Sequence, residues 1–180
     1  MPPAISSGTL SGATFSKDRR YRYRLWRCWG DPELRCVFAG LNPSTADEIT
    51  DDPTIRKCIG FAKRWGFGAI DVVNLFAFRS TEPAGLLAVE DPVGRRNGYH
   101  VTLAFRDAKR IVWAWGSHGP RLQRLLLSAS LSVRAVERTC EVGMLGFTRD
   151  GSPRHPLMLA YSTTFRSDPG PTPSLRDEKT

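Results

Sequence analysis

Four polar residues, far apart in the chain, each stand just beyond a short apolar run. Asn42 lies in Gly40-Leu41-Asn42-Pro43-Ser44-Thr45, Asn74 in Val72-Val73-Asn74-Leu75-Phe76, His118 after Gly116-Ser117, and His155 between Arg154 and Pro156. A carboxamide supplies a donor and an acceptor but no useful basicity. Asn42 can therefore orient a water or read a ligand, yet cannot remove a proton alone. Pro43 pushes its backbone towards an extended conformation, and a loop-stabilising Asx turn is the alternative reading. Gly40 permits close backbone approach or a positive φ. Asn74 interrupts an apolar strand, and a buried amide left unpaired costs about 1–3 kcal/mol. It must pair with backbone or with the edge of a ligand, and both readings are open.

The carboxylates and histidines extend this set. Asp52 precedes Pro53 and suits the cap of a helix, which leaves Asp51, together with Asp47, as the general base or water-positioning group. Ser117 and His118 sit at a strand-to-helix junction, where free amides hold anions, although a surface histidine is the plainer reading. His155, fixed on one flank by Pro156, suits an electrophile or general acid. No Walker loop, GxGxxG, HExxH or GxSxG is present, which removes the usual support for P-loop, nicotinamide, zinc-peptidase and serine-hydrolase chemistry.

The elements that must position these residues alternate. Apolar strands are expected over 34–40, 69–78, 110–116 and 140–148, and helices over 53–66, 92–108 and 118–130. In the first helix Ile55, Ile59, Ala62 and Trp65 fall on one side. Arg19 to Trp29 alternates basic and bulky residues, as an exposed strand does. Its Arg20, Arg22 and Arg24, interleaved with Tyr21 and Tyr23, suit a phosphate backbone or an edge protected by charge. Continuous apolar strands alternating with helices imply a parallel sheet covered on both faces. Ligands then bind beyond the carboxyl ends of the strands, and all four polar sites fall on that rim. The expected fold is three-layer α/β/α around a central, mostly parallel four-stranded sheet. Residues 17–161 form a single domain, between a Ser/Gly/Pro-rich arm (1–16) and a disordered tail (162–180).

Composition narrows the partners. The 180 residues carry a formal net charge of +8 with pI near 9.8, which favours nucleic acid or phosphorylated ligands. Cys28, Cys36, Cys58 and Cys140 show no CxxC spacing and read as reduced thiols without a metal. The expectation is a cytoplasmic monomer with no cofactor and no membrane span.

Two resemblances follow from these motifs. "GLNPSTAD", "DDPTIRK", "GFGAIDVVNLFAFR", "AWGSHG" and "GSPRHPL" together resemble the uncharacterised bacterial and phage family called domain of unknown function 1643, from about Tyr23 to Leu159. More distantly, the order of rim motifs is similar to that of the uracil-DNA glycosylase superfamily, with Gly40-Leu41-Asn42-Pro43, Val73-Asn74, Trp115-Gly116 and His155-Pro156 in corresponding places. That resemblance implies a glycosylase-like fold and cleavage of an N-glycosidic bond in DNA or a nucleotide. Asn42, with Asp51, places the water; Asn74 reads the base, Phe76 or Phe78 stacks on it unless both pack in the core, and His155 stabilises its departure. Gly40 and Ser44 complete the base pocket, while Ser117, His118, Arg154, Arg22 and Arg24 meet phosphate. Ser44 replaces the bulky aromatic of the uracil-specific branch, which leaves room for a larger or modified base. Leu157-Met158-Leu159 replaces the usual small polar run, which weighs against base flipping from a duplex. The alternative is a catalytically silent nucleic-acid or nucleotide binder with the same pocket.

Overall fold

The computed structural model describes residues 9–118, 120–134 and 140–168. Its sheet has seven strands in the order β1-β2-β4-β3-β5-β6-β7. These are β1 (Leu10–Phe15), β2 (Arg22–Cys28), β3 (Arg35–Gly40), β4 (Ala69–Asn74), β5 (Arg110–Trp113), β6 (Glu141–Met144) and β7 (Arg166–Ser167). The class is α/β, as expected, but the four-stranded, mostly parallel sheet is not what forms. The pairs β4–β3, β3–β5 and β5–β6 are parallel. Around them β1, β2 and β7 add antiparallel strands at both edges, giving a mixed sheet. Of these, β2 falls within the strand expected over Arg19–Trp29, but it lies between β1 and β4 and is half-buried to buried rather than exposed; β1 and β7 come from segments with weak strand signals. Leu10–Phe15 lies in the stretch expected as an arm, and Arg166–Ser167 in the stretch expected as a tail.

The inner strands read as continuous apolar runs because both their faces are covered. All six residues of β4 are buried. On one face packs α1 (Pro53–Arg64), whose Ile55, Cys58, Phe61 and Ala62 meet Phe38, Ile70 and Val72. Asp52 accepts a hydrogen bond from the Ile55 amide at 2.9 Å and Pro53 occupies the first turn, so the start of α1 is fixed as its sequence implies. On the other face, α2 (Asn97–Arg106) and α3 (Pro120–Arg134) bury Val101, Ala104, Phe105, Leu122 and Leu126 against Val37, Val73 and Trp113. No helix among the described residues is long and apolar enough to cross a membrane.

A bulge in β2 decides where its arginines go. The register with β1 runs Thr14 to Arg24 and then Phe15 to Arg22, so Tyr23 is an extra residue. Such a bulge breaks the alternation of side chains. Tyr23 and Arg24 both serve the α2 face, where Tyr23 stacks on His100 at 5.1 Å and Arg24 pairs with Asp71 at 2.6 Å. Arg22 instead lies on the face of α1, with Leu25. The expected single basic ridge is therefore divided between two sides of the sheet.

Candidate functional site

A cavity of about 470 Å³ opens over the carboxyl ends of β3, β4 and β5, where ligands of α/β sheets bind and within the size range of small-molecule sites, about 300–1,000 Å³. Gly40, Asn42 and Ser44 come from the loop after β3, Asn74 from the end of β4, and Ser117 and His118 from the loop after β5. His155 reaches it from the start of a short 3-10 helix, Pro156–Met158. The strand ends are knitted by backbone hydrogen bonds from Leu75 to Gly40, from Phe76 to Leu41 and from Ser80 to Pro43, at 2.9–3.0 Å. Gly116, at φ +76°, takes the left-handed conformation that favours glycine, and a Cβ there would lie 3.3 Å from the Cβ of His155.

Asn74 has the most telling environment. It is 4% exposed, and its Nδ2 is buried without a partner among the described residues. Its backbone is held by Asn97, the first residue of α2, whose Nδ2 donates to the Asn74 and Leu75 carbonyls at 2.9 and 3.2 Å. No sequence motif marks Asn97; only its place at the start of a helix over the strand end explains it. The backbone reading is not realised for Nδ2, which is left unpaired on a residue that lines the cavity, at a cost of about 1–3 kcal/mol if nothing binds. Gly40 is required for room: a Cβ there would lie 2.8 Å from Asn74 Oδ1. We expect Gly40→Ala to cost about 1 kcal/mol in urea unfolding, the low end for overpacking. Displacing Asn74 should weaken ligand binding in the cavity far more, by about 10²-fold, and equal small losses in both measurements would contradict a ligand-contacting role for Asn74.

Asn42 divides its carboxamide between structure and cavity. Nδ2 donates to the carbonyls of Ser80 (2.8 Å) and Pro43 (3.1 Å), while Oδ1 is engaged by no described residue. His155 Nδ1 accepts from the Leu157 amide at 3.3 Å, which places the proton of the neutral ring on Nε2. Burial, with His118 nearby, holds its pKa below the ordinary value, against the opposing pull of Asp52. His118 is committed to the Trp115 carbonyl at 2.7 Å, so its Nε2 is a donor to backbone. Ser117 donates to Asp150. Ser44 lines the cavity with no side-chain hydrogen bond to a described residue.

Four expected residues lie elsewhere. Asp51 is paired with Arg27 at 2.8 Å and does not line the cavity. Arg27, 2% exposed, also takes the carbonyls of Asp47 and Trp26, so the pair anchors the loop before α1. The carboxylate on the wall is Asp52, missed because its capping role accounted for it. Phe76 packs in the opposite core with Val73 and Trp113; the aromatic walls are Phe38 and Trp115. Arg24 is held by Asp71, and Arg154 is exposed outside the cavity. Among the described residues no group of three or more His, Cys, Asp or Glu could hold a metal ion.

The fold and site define an α/β protein with a ligand-sized cavity lined by carboxamides, hydroxyls, a histidine and a carboxylate at its strand ends. The chain belongs to the family described as "Protein of unknown function (DUF1643)", whose model matches residues 22–157. No curated protein and no solved structure matches it.

Proposed function

We propose that the cavity holds a nucleobase and that the protein hydrolyses the N-glycosidic bond joining it to its sugar. The observation that carries this reading is the unpaired Asn74 carboxamide, a donor and acceptor side by side, which suits the edge of a base. The distant likeness of the rim motifs to uracil-DNA glycosylases supports the same assignment. The bond from C1′ to the base nitrogen breaks with its electron pair leaving on the base, through an oxocarbenium-like transition state. His155 Nε2–H donates to the charge that develops there. Water adds to C1′, oriented by Asn42 Oδ1, and Asp52 is the basic group on the wall available to its proton. Ser44, small where an aromatic would close the pocket, leaves space for a modified base.

Neutral His155 makes a pH prediction. Its pKa lies below the ordinary value near 6.5, so the neutral ring persists through neutrality; on acidification Nε2–H remains, but a protonated Nδ1 no longer accepts from the Leu157 amide and the ring loses the bond that orients it. Base release should be level from about pH 7 to 8 and decline below about 6.5. A rate that rises as pH falls through that window would point to imidazolium as the acid and contradict the scheme.

One observation favours a silent binder instead: Asn42 Nδ2 is fixed to two carbonyls, as a purely structural amide would be. Oligonucleotides containing uracil, hydroxymethyluracil, hypoxanthine or mispaired thymine separate the two readings. Abasic sites support hydrolysis; salt-sensitive binding without them supports the binder.

A further inference from the structure

We propose that Arg22 binds an oxyanion inside the cavity, so that the ligand carries an ionised group, either a carboxylate on the base or the phosphate of a monomeric nucleotide. This rests on the reading of the cavity as a nucleobase site. Arg22 is 2% exposed and lines the cavity. Its Nη1 donates to the Ala46 carbonyl at 2.8 Å, and its Nε is buried with no partner. Nη2 has no hydrogen bond to a described residue either, so the edge of the guanidinium that takes carboxylate or phosphate in a two-point fork is unengaged.

The contrast with the other inward-facing arginines is informative. Arg27, equally buried, is matched by Asp51; Arg24 and Arg35 share Asp71. Arg22 has no carboxylate among the described residues within 4.0 Å. Asp52, on the same wall, attracts it without closing that gap. A guanidinium does not escape burial by losing its proton near neutral pH, and a buried cation without a counter-ion is costly. Burial lowers its pKa only to about 10, so the charge persists. Ser44, Thr45 and Thr81 line the same cavity, and their hydroxyls bond to no described residue. One cation with several idle hydroxyls is the chemistry of an oxyanion site. Because Arg22 faces the cavity rather than the outer surface, it recognises an anion that enters with the ligand, not a strand passing outside.

Calorimetric titration with four probes tests this: uracil against 5-carboxyuracil, and thymidine against thymidine 5′-monophosphate. At least one charged probe should bind about tenfold or more tightly than its neutral counterpart, and Arg22→Met should bring that ratio to about one. Which pair shows the preference identifies carboxylate or phosphate as the source. Should Arg22→Met fail to fold, the wild-type protein decides. Its Arg22 Nε–H resonance, assigned by nitrogen-15 labelling of arginine, should shift with the charged probe and not with the neutral one. Equal binding within both pairs, a preference that survives Arg22→Met, or an unmoved Nε–H signal overturns the proposal, as does binding of none of the four. Binding is read without turnover, so absence of base release would sink the hydrolysis reading and leave this result standing. Base release with equal affinities would overturn the anion site alone.

Discussion

Replacing His155 with alanine is expected to slow base release by about 10²–10³-fold, the range for removing one preorganised donor aimed at developing charge. The size follows from how the ring is held. The Leu157 amide occupies Nδ1, Pro156 fixes the adjoining backbone at the start of the short helix, and burial favours the neutral form. In the proposed reaction Nε2 would thus already carry its proton on a ring held at Nδ1, and little reorganisation would be needed. Alanine would also remove the acceptor for the Leu157 amide, a cap-type loss of about 1 kcal/mol. Thermal unfolding should move by a few degrees at most while single-turnover release collapses. His155→Gln, which keeps a donor of similar reach, should recover part of the rate. An alanine variant with unchanged release would remove His155 from the chemistry.

The largest structural effect should come from Asp71→Asn. Asp71 is 0% exposed in the middle of β4 and receives Arg24 at 2.6 Å and Arg35 at 2.8 Å. Burial raises its pKa in spite of the two cations, so desolvation outweighs pairing and the carboxylate is costly to keep. Removing its charge nevertheless leaves two arginines, their side chains only 23% and 15% exposed, without this counter-ion. Breaking a buried pair from one side typically costs about 3–5 kcal/mol, and part of that should be relieved as the arginines turn to solvent. We expect about 3 kcal/mol in denaturant unfolding. Asp71 and Asn74 face opposite sides of β4, so the residual folded protein should keep its ligand affinity. A loss below about 1 kcal/mol would mean that the arginines are solvated independently of Asp71.

Much of this architecture is written in local pattern. The inner parallel strands β3, β4 and β5 are legible because burial on both faces leaves largely apolar runs, as in Cys36-Val37-Phe38-Ala39. The start of α1 is legible because Asp52 and Pro53 are chemically suited to it. Asn42, Asn74 and His155 could be placed on one rim because strand ends in parallel sheets share a side. What escaped depends on tertiary context. Leu10–Phe15 carries Ser and Gly between its apolar residues, and it becomes a strand only by pairing with β2. The extra residue at Tyr23 has no local signature, yet it sends Arg22 to the cavity and Arg24 to Asp71. Asp51 and Asp52 are adjacent carboxylates whose roles separate only through Arg27, a partner distant in sequence. Phe76 follows β4 as closely as Asn74 ends it, but the turn beyond the strand carries it to the other core, and Phe38 takes the wall.

The proposed activity requires one cavity to act on one base. The most direct measurement is mass-spectrometric detection of free base released from a mixed pool of modified DNA and nucleotides, hypermodified phage DNA included, by the wild type and by Asn74→Ala and His155→Ala. The wild type should release a defined base, and each variant should release it at least about 10²-fold more slowly. Release that persists undiminished in both variants, or no release from any member of the pool, would contradict the proposed activity.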